Sequence, residues 1–224
     1  EVISEYTPSG DQPAAIAEIS EPSGTGGRLV IGAMPLCRAL LLPATLASFT
    51  RERPDFALNV IEGSWRDLVE SLRDGVIDLM IGALRGAEVE GLEQMQLFVD
   101  RLVIVGRAGH PLVGTAAPTP ADLARFPWIV GQSGTPLREQ WEALIAAADP
   151  RPHAPVECGS VMVARGILRD SDFLTLLSLD QVALEIESGM LATIGPRLAS
   201  GLRTIGVTSR AGWRPTPGQQ RFLA

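Results

Sequence analysis

The sequence predicts an α/β fold of two similar lobes, each a largely parallel sheet with covering helices, and three observations carry that expectation. From Arg28 onward, short apolar runs alternate with amphipathic helical stripes. The alternation stops in one long β-rich stretch, Leu92 to Gly106, and then starts again. Parallel strands need a crossover between them, so a repeated β-α step implies helices packed on a sheet. The chain has 224 residues, 46% of them hydrophobic, which is enough for two small cores.

Residues 1–27 read as a lead-in linker, punctuated by Pro8, Gly10, Pro13, Pro22 and Gly24, with Ala14 to Ile19 its only helical piece. Leu29 to Gly32 is the first buried strand. A helix over Leu36 to Arg53 follows, with Leu42, Leu46 and Phe49 on one face. Pro43 fits only in a first helical turn, so the regular helix begins near Leu42; Pro54 ends it. Ala57 to Ile61 is the second strand. Ser64 caps the next helix, Asp67 sits three residues on, and Gly75 closes it in the left-handed conformation. Trp65, Leu68, Val69 and Leu72 give its apolar stripe, and Val76 to Ile81 is the third strand.

The long stretch from Leu92 is broken at Asp100-Arg101, where it can leave one sheet and enter another. The pattern then repeats. Thr119-Pro120 starts a helix through Arg125, Trp128 to Val130 is a strand, and Thr135-Pro136 starts a helix through Ala148. Val156 to Cys158 is a strand and Ser160 caps a helix. Phe173 to Leu177 is a strand, and Ser178 with Gln181 boxes the start of a helix that ends at Gly189. Strands follow at Leu191 to Ile194 and Leu202 to Thr208, and a last helix spans Thr216 to Ala224. The expected division is lobe I over 28–100 plus 206–224 and lobe II over 101–205, with two crossover strands between them.

Composition narrows the function. A net charge of −7 makes the chain a poor direct ligand for phosphate backbones. Two cysteines, Cys37 and Cys158, are too few for a disulfide framework and fit a reducing compartment; no apolar run reaches the length of a membrane span, and cytoplasm is the expectation. His110 lies in a Gly-His-Pro turn and His153 in a Pro-rich loop, neither at metal spacing, so no metal and no cofactor is expected. Gly131-Gln-Ser-Gly-Thr135 fails the G-x-S-x-G test because position 135 is Thr. Nothing pairs a nucleophile with a base, which argues against an enzyme.

The strand-to-helix turns remain. In open α/β sheets ligands bind outside the carboxyl ends of strands, near free helix N–H groups. Ser64, Ser133, Thr135 and Ser160 lie on such turns with hydroxyls to donate, although helix capping alone explains Ser64, Thr135 and Ser160. Arg38 or Arg85 offers a fork for a carboxylate, and Arg85 reads equally as a surface arginine. Trp65 reads first as core and second as a stacking surface. Cys37 sits near a helix start, where a thiol pKa can fall, but redox sensing needs a resolving partner and Cys158 is in the other lobe.

An ordered series of segments resembles one family. Gly27-Arg-Leu-Val-Ile-Gly32, Leu42-Pro43, Phe49, Arg53-Pro54, Glu62-Gly63 and Leu72-Arg-Asp-Gly-Val-Ile-Asp-Leu79 are similar to the first lobe of the effector-binding domain of LysR-type transcriptional regulators. Leu102 to Val105, His110-Pro-Leu112, Trp128 to Val130, Phe173 to Leu177 and Gly189-Met-Leu191 continue the match. The resemblance implies a type 2 periplasmic-binding-protein-like fold of two Rossmann-like lobes with a small polar or carboxylated effector between them. It implies homodimers, commonly assembled into homotetramers, with the Leu36–Arg53 helix at an interface. It also implies an N-terminal winged helix-turn-helix upstream that binds promoter DNA, and it admits RNA polymerase as a further partner. Family effector contacts map to Pro35, Leu36, Cys37 and Arg38; to Gly63, Ser64 and Trp65; to Leu84 and Arg85; and to Gln132, Ser133 and Thr135. The first turn departs from the pattern, since it offers Leu36, Cys37 and Arg38 where Ser or Thr often meets a carboxylate. Met34-Pro-Leu36 and Gly134-Thr-Pro-Leu-Arg138 resemble a subgroup with regulators of sugar and aromatic-acid catabolism. A solute-binding protein for transport shares the expected fold and is the competing reading.

Overall fold

The structure is a computed structural model and describes residues 26–39, 41–86, 88–198 and 202–224. Of the expected lead-in, all but Gly26 and Gly27 lies outside the described residues. The first lobe opens with strand β1 (Arg28–Ala33), a 3₁₀ turn (Pro35–Arg38) and helix α1 (Leu41–Glu52). The single helix expected over Leu36 to Arg53 is thus two pieces. Pro43 falls in the first turn of α1, where its missing N–H costs no helical bond. Strand β2 (Ala57–Glu62), helix α2 (Trp65–Arg73) and strand β3 (Leu79–Ala83) follow. The third strand starts later than its apolar run suggests. Gly75 turns the chain at φ +74°, and the N–H groups of Val76 and Ile77 return to the Ser71 carbonyl at 2.9 and 3.2 Å. Those donors close the helix and are lost to the ladder.

Strand β4 (Leu92–Arg107) runs unbroken for 16 residues. Asp100-Arg101 does not interrupt it but marks where its partners change. Up to Arg101 it pairs antiparallel with the last strand, β9 (Leu202–Arg210). From Leu102 it pairs antiparallel with β7 (Leu174–Ser178) on one side, and from Ile104 with β8 (Leu191–Ile194) on the other. The first sheet therefore has the order β2-β1-β3-β9-β4, and the second continues through β4 and β7 to β5 (Trp128–Val130) and β6 (Val156–Glu157). In each, three strands are parallel (β2, β1 and β3; β7, β5 and β6) and the rest return antiparallel.

Helices cover both faces of both sheets. In the first lobe, Leu29 and Ile31 face α1 and the C-terminal helix α7 (Pro217–Leu223), while Val30 and Met80 face α2. Phe49 meets Phe56 and Phe222 edge to face at 5.2 and 5.3 Å. In the second lobe, Trp128, Val130 and Leu176 pack against helix α4 (Pro136–Leu144), and Ile129 and Leu177 pack against helix α5 (Val161–Arg169). The short helix α3 (Pro120–Ala124) starts at a Thr119–Asp122 capping box as expected. Helix α4 stops before Ala148, and the helix expected from Ser178 divides into a 3₁₀ turn (Leu179–Gln181) and helix α6 (Ala183–Glu187). The hydrophobic clusters of the described residues separate by sheet, two on the strands of the first and two on those of the second.

Candidate ligand-binding cleft

The parallel strands of the two lobes end facing each other across a cleft of about 220 Å³. Of the residues expected to hold a ligand, Pro35, Leu36, Ser64, Trp65, Arg85, Gln132, Thr135 and Ser160 line it. Cys37, Arg38, Gly63, Leu84 and Ser133 do not. Cys37 is 1% exposed in the first-lobe core, where burial pushes its thiol up to about 12. It is therefore a neutral core residue and not an activated thiolate. Arg38 is paired with Glu62. Gly63 faces the Leu68 side chain, Leu84 lies over Gly206, and the Ser133 hydroxyl donates to Glu157 at 3.3 Å.

The hydroxyls divide by what they have already given away. Ser64 caps α2, and its hydroxyl donates to the Asp67 carboxylate at 2.6 Å while accepting the Asp67 N–H. The hydroxyl and the Ser64 backbone N–H, which donates to the same carboxylate at 3.1 Å, hold the Asp67 carboxyl below the usual carboxylate range. Thr135 caps α4 and donates its hydroxyl to the Gln132 carbonyl at 2.6 Å. Ser160 accepts the Val163 N–H at 3.3 Å, but among the described residues its hydroxyl hydrogen has no acceptor. Of the three caps, only Ser160 keeps a donor for a ligand.

Arg85 is the prominent cation. Its guanidinium lies over the Trp65 ring, 4.6 Å from the centroid. Among the described residues no carboxylate pairs with it. Burial pulls its pKa down from the ordinary arginine range, yet an arginine remains charged at neutral pH. Gln94 fixes the backbone beneath it, accepting the Arg85 N–H at 2.8 Å and donating to the Arg85 carbonyl at 3.1 Å. Trp65 is half-buried: it packs against the α2 core, the reading the sequence put first, and its face carries the Arg85 guanidinium.

Met34 and Ala83, which begin two of the expected strand-to-helix turns, also line the cleft, but sequence reasoning missed the rest of the apolar wall, including Ala164 and Leu177, and it missed Cys158, Gln181 and Arg203. Arg203 left one signal, a charge inside an apolar strand, but nothing in the sequence says where that strand lies.

A model of the LysR substrate binding domain matches residues 22–224. The chain belongs to that family. Within it, this LysR-family domain is 32% identical over 211 residues to the HTH-type transcriptional regulator GalR of Pseudomonas putida, covering 93% of this chain and 53% of that protein. It is 33% identical over 204 residues to the SDS degradation transcriptional activation protein of a Pseudomonas species, covering 87% and 64%. The chain thus spans between 53% and 64% of the length of these relatives. Among solved structures, the effector binding domain of QuiR in complex with shikimate superposes with a TM-score of 0.72 at 17% identity, covering 89% of this chain and 94% of that one. The regulatory domain of Synechocystis CcmR in complex with 2-PG gives 0.75 at 19%, covering 88% and 94%. The periplasmic-binding-protein-like fold expected from the sequence is the fold found. The curated relatives are named as transcriptional regulators, and the transport reading finds no support. No helix among the described residues is long and apolar enough to cross a membrane.

Proposed function

We propose that this domain is the effector sensor of a LysR-type transcriptional regulator and that its effector is a small organic carboxylate with an apolar body. The observation that carries the reading is the Arg85 guanidinium, stacked on Trp65 at the cleft and unpaired among the described residues. The guanidinium is half-buried and, among the described residues, keeps its N–H groups free at the cleft, and a carboxylate is the partner its fork fits. Met34, Leu36, Ala83 and Leu177 suit the rest of the ligand, and the Ser160 hydroxyl orients it. Among the described residues lining the cleft there is no histidine, aspartate or glutamate, which favours binding over turnover. That QuiR and CcmR are described with small molecules supports an effector here. In the whole protein, effector binding shifts an open–closed equilibrium of the lobes in a cytoplasmic homodimer or homotetramer. A separate N-terminal part then binds promoter DNA and meets RNA polymerase.

Titration calorimetry with small aromatic and hydroxylated carboxylates, each beside its neutral amide, tests the site. The charged member binds and the amide binds less well. Arg85→Ala weakens the carboxylate by about 10- to 100-fold, the value of one charge-assisted hydrogen-bonded pair. Equal affinity of Arg85→Ala and the parent for every binding carboxylate rejects the placement.

A further inference from the structure

Where the chain passes between the lobes, β4 and β9 bear one opposed charge pair. Asp100 and Arg203 are cross-strand partners, and their side chains are 8% and 16% exposed. Arg203 donates twice to one carboxylate oxygen, Oδ2, from Nη2 at 2.5 Å and from Nε at 3.1 Å. The other oxygen, Oδ1, accepts the Ser178 hydroxyl at 2.6 Å. Ser178 ends β7, a strand of the second lobe. The Asp100 carboxylate therefore ties a first-sheet strand to a second-lobe strand. Beside it, the 3₁₀ turns Pro35–Arg38 and Leu179–Gln181 of opposite lobes touch. Arg203 also lines the cleft, and among the described residues its Nη1 has no acceptor.

A guanidinium presents paired N–H groups that match both oxygens of a carboxylate. Arg203 spends both its bonds on a single oxygen and leaves further N–H groups unpaired at the cleft. We propose that Arg203 is a second anion-binding group of the cleft, which a ligand carboxylate engages in competition with Asp100. Ligand binding is thereby coupled to the Asp100–Ser178 link between lobes. The proposal rests on the carboxylate reading of the cleft and adds a residue and a route to it. Because the two carboxylates compete for one guanidinium, weakening Asp100 as a partner strengthens the ligand. A purely structural role for the pair predicts the reverse, since leaving Arg203 unpaired loosens the cleft for every ligand alike.

The test uses benzoate and benzamide, alike in shape and different in charge, followed by amide NMR shifts on the full chain. Asp100→Asn removes the competing charge and keeps the shape. Arg203→Lys keeps the charge and loses the fork. Arg85→Ala reports on the primary site. The expected result is benzoate about tenfold tighter in Asp100→Asn and about tenfold weaker in Arg203→Lys, with benzamide unmoved in both. Parallel loss of both probes in both variants overturns the proposal, as does unchanged benzoate binding. Should Asp100→Asn fail to fold, Arg203→Lys decides alone, with its melting temperature as the control. Binding that Arg85→Ala abolishes but the other variants leave intact keeps the primary reading and removes this one. Benzoate that binds neither the parent nor Asp100→Asn removes both.

Discussion

At the scale of single residues, the local chemistry of this chain was legible and the distant chemistry was not. Ser64, Thr119, Thr135 and Ser160 cap helices as their positions foretold, because a cap involves residues three apart in sequence. The partners of Arg38, Cys37 and Arg203 lie in other elements, and no local spacing announces them. His110 shows both sides. The sequence placed it in a turn, and the structure buries it against Phe126 with its ring centroid 4.4 Å away. Its Nδ1 accepts the Leu112 N–H at 3.1 Å, so the ring proton sits on Nε2, facing the Asp172 carbonyl at 3.3 Å. Burial holds its pKa below the ordinary value of 6.5. The unfolded chain therefore takes up this proton first as pH falls. The stability contributed by the neutral ring is complete above about 6.5 and is lost as pH drops from there toward the lower folded value. Urea midpoints measured from pH 7.5 down to 5.5 will decline, and His110→Asn will lack that part of the decline. A His110→Asn profile parallel to the parent's would exclude the ring as the cause.

At the scale of elements, existence was read well and ends were read poorly. Boundaries moved wherever backbone donors were committed elsewhere, as at Val76 and Ile77, or wherever a regular helix gave way to a 3₁₀ turn, as at Pro35–Arg38 and Leu179–Gln181. The same accounting separates capping from recognition in α4. The Thr135 hydroxyl accepts from Arg138 at 3.4 Å and donates to Gln132 at 2.6 Å, which leaves it no hydrogen for a ligand. Thr135→Ala should cost about 1 kcal/mol of unfolding free energy, and Thr135→Ser should restore it. Carboxylate affinity, measured in the same preparations, should move less than about twofold, well under a lost hydrogen bond. A large affinity loss with unchanged stability would make Thr135 a ligand contact.

At the scale of the whole molecule, the fold class was the most legible feature, because a repeated β-α pattern survives errors at every boundary. The cleft was legible only in outline. Turns at strand ends can be found by pattern, but which of their side chains meet depends on how the lobes are set. Charge acts at this scale too. A chain with net charge −7 repels a phosphate backbone, and several of its cations are spoken for: Arg38, Arg107, Arg138, Arg165 and Arg203 all pair with carboxylates. The 224-residue chain should therefore leave a promoter fragment unshifted in a gel at about 0.1 M salt, with or without carboxylate. A shift by this chain alone would mean that it carries its own nucleic-acid surface.

The pairing of Arg101 with Leu202 has a genetic consequence. Partners on adjacent antiparallel strands stand about 5 Å apart, so the points of departure and return share one doorway. The segment between them leaves and returns there, and it is held to the first sheet besides by the Ser178–Asp100 bond and by the contact of the two 3₁₀ turns. A tight hairpin closing it would leave β9 and the first half of β4 still in register, so a deletion there tests whether the first sheet stands without what lies beyond.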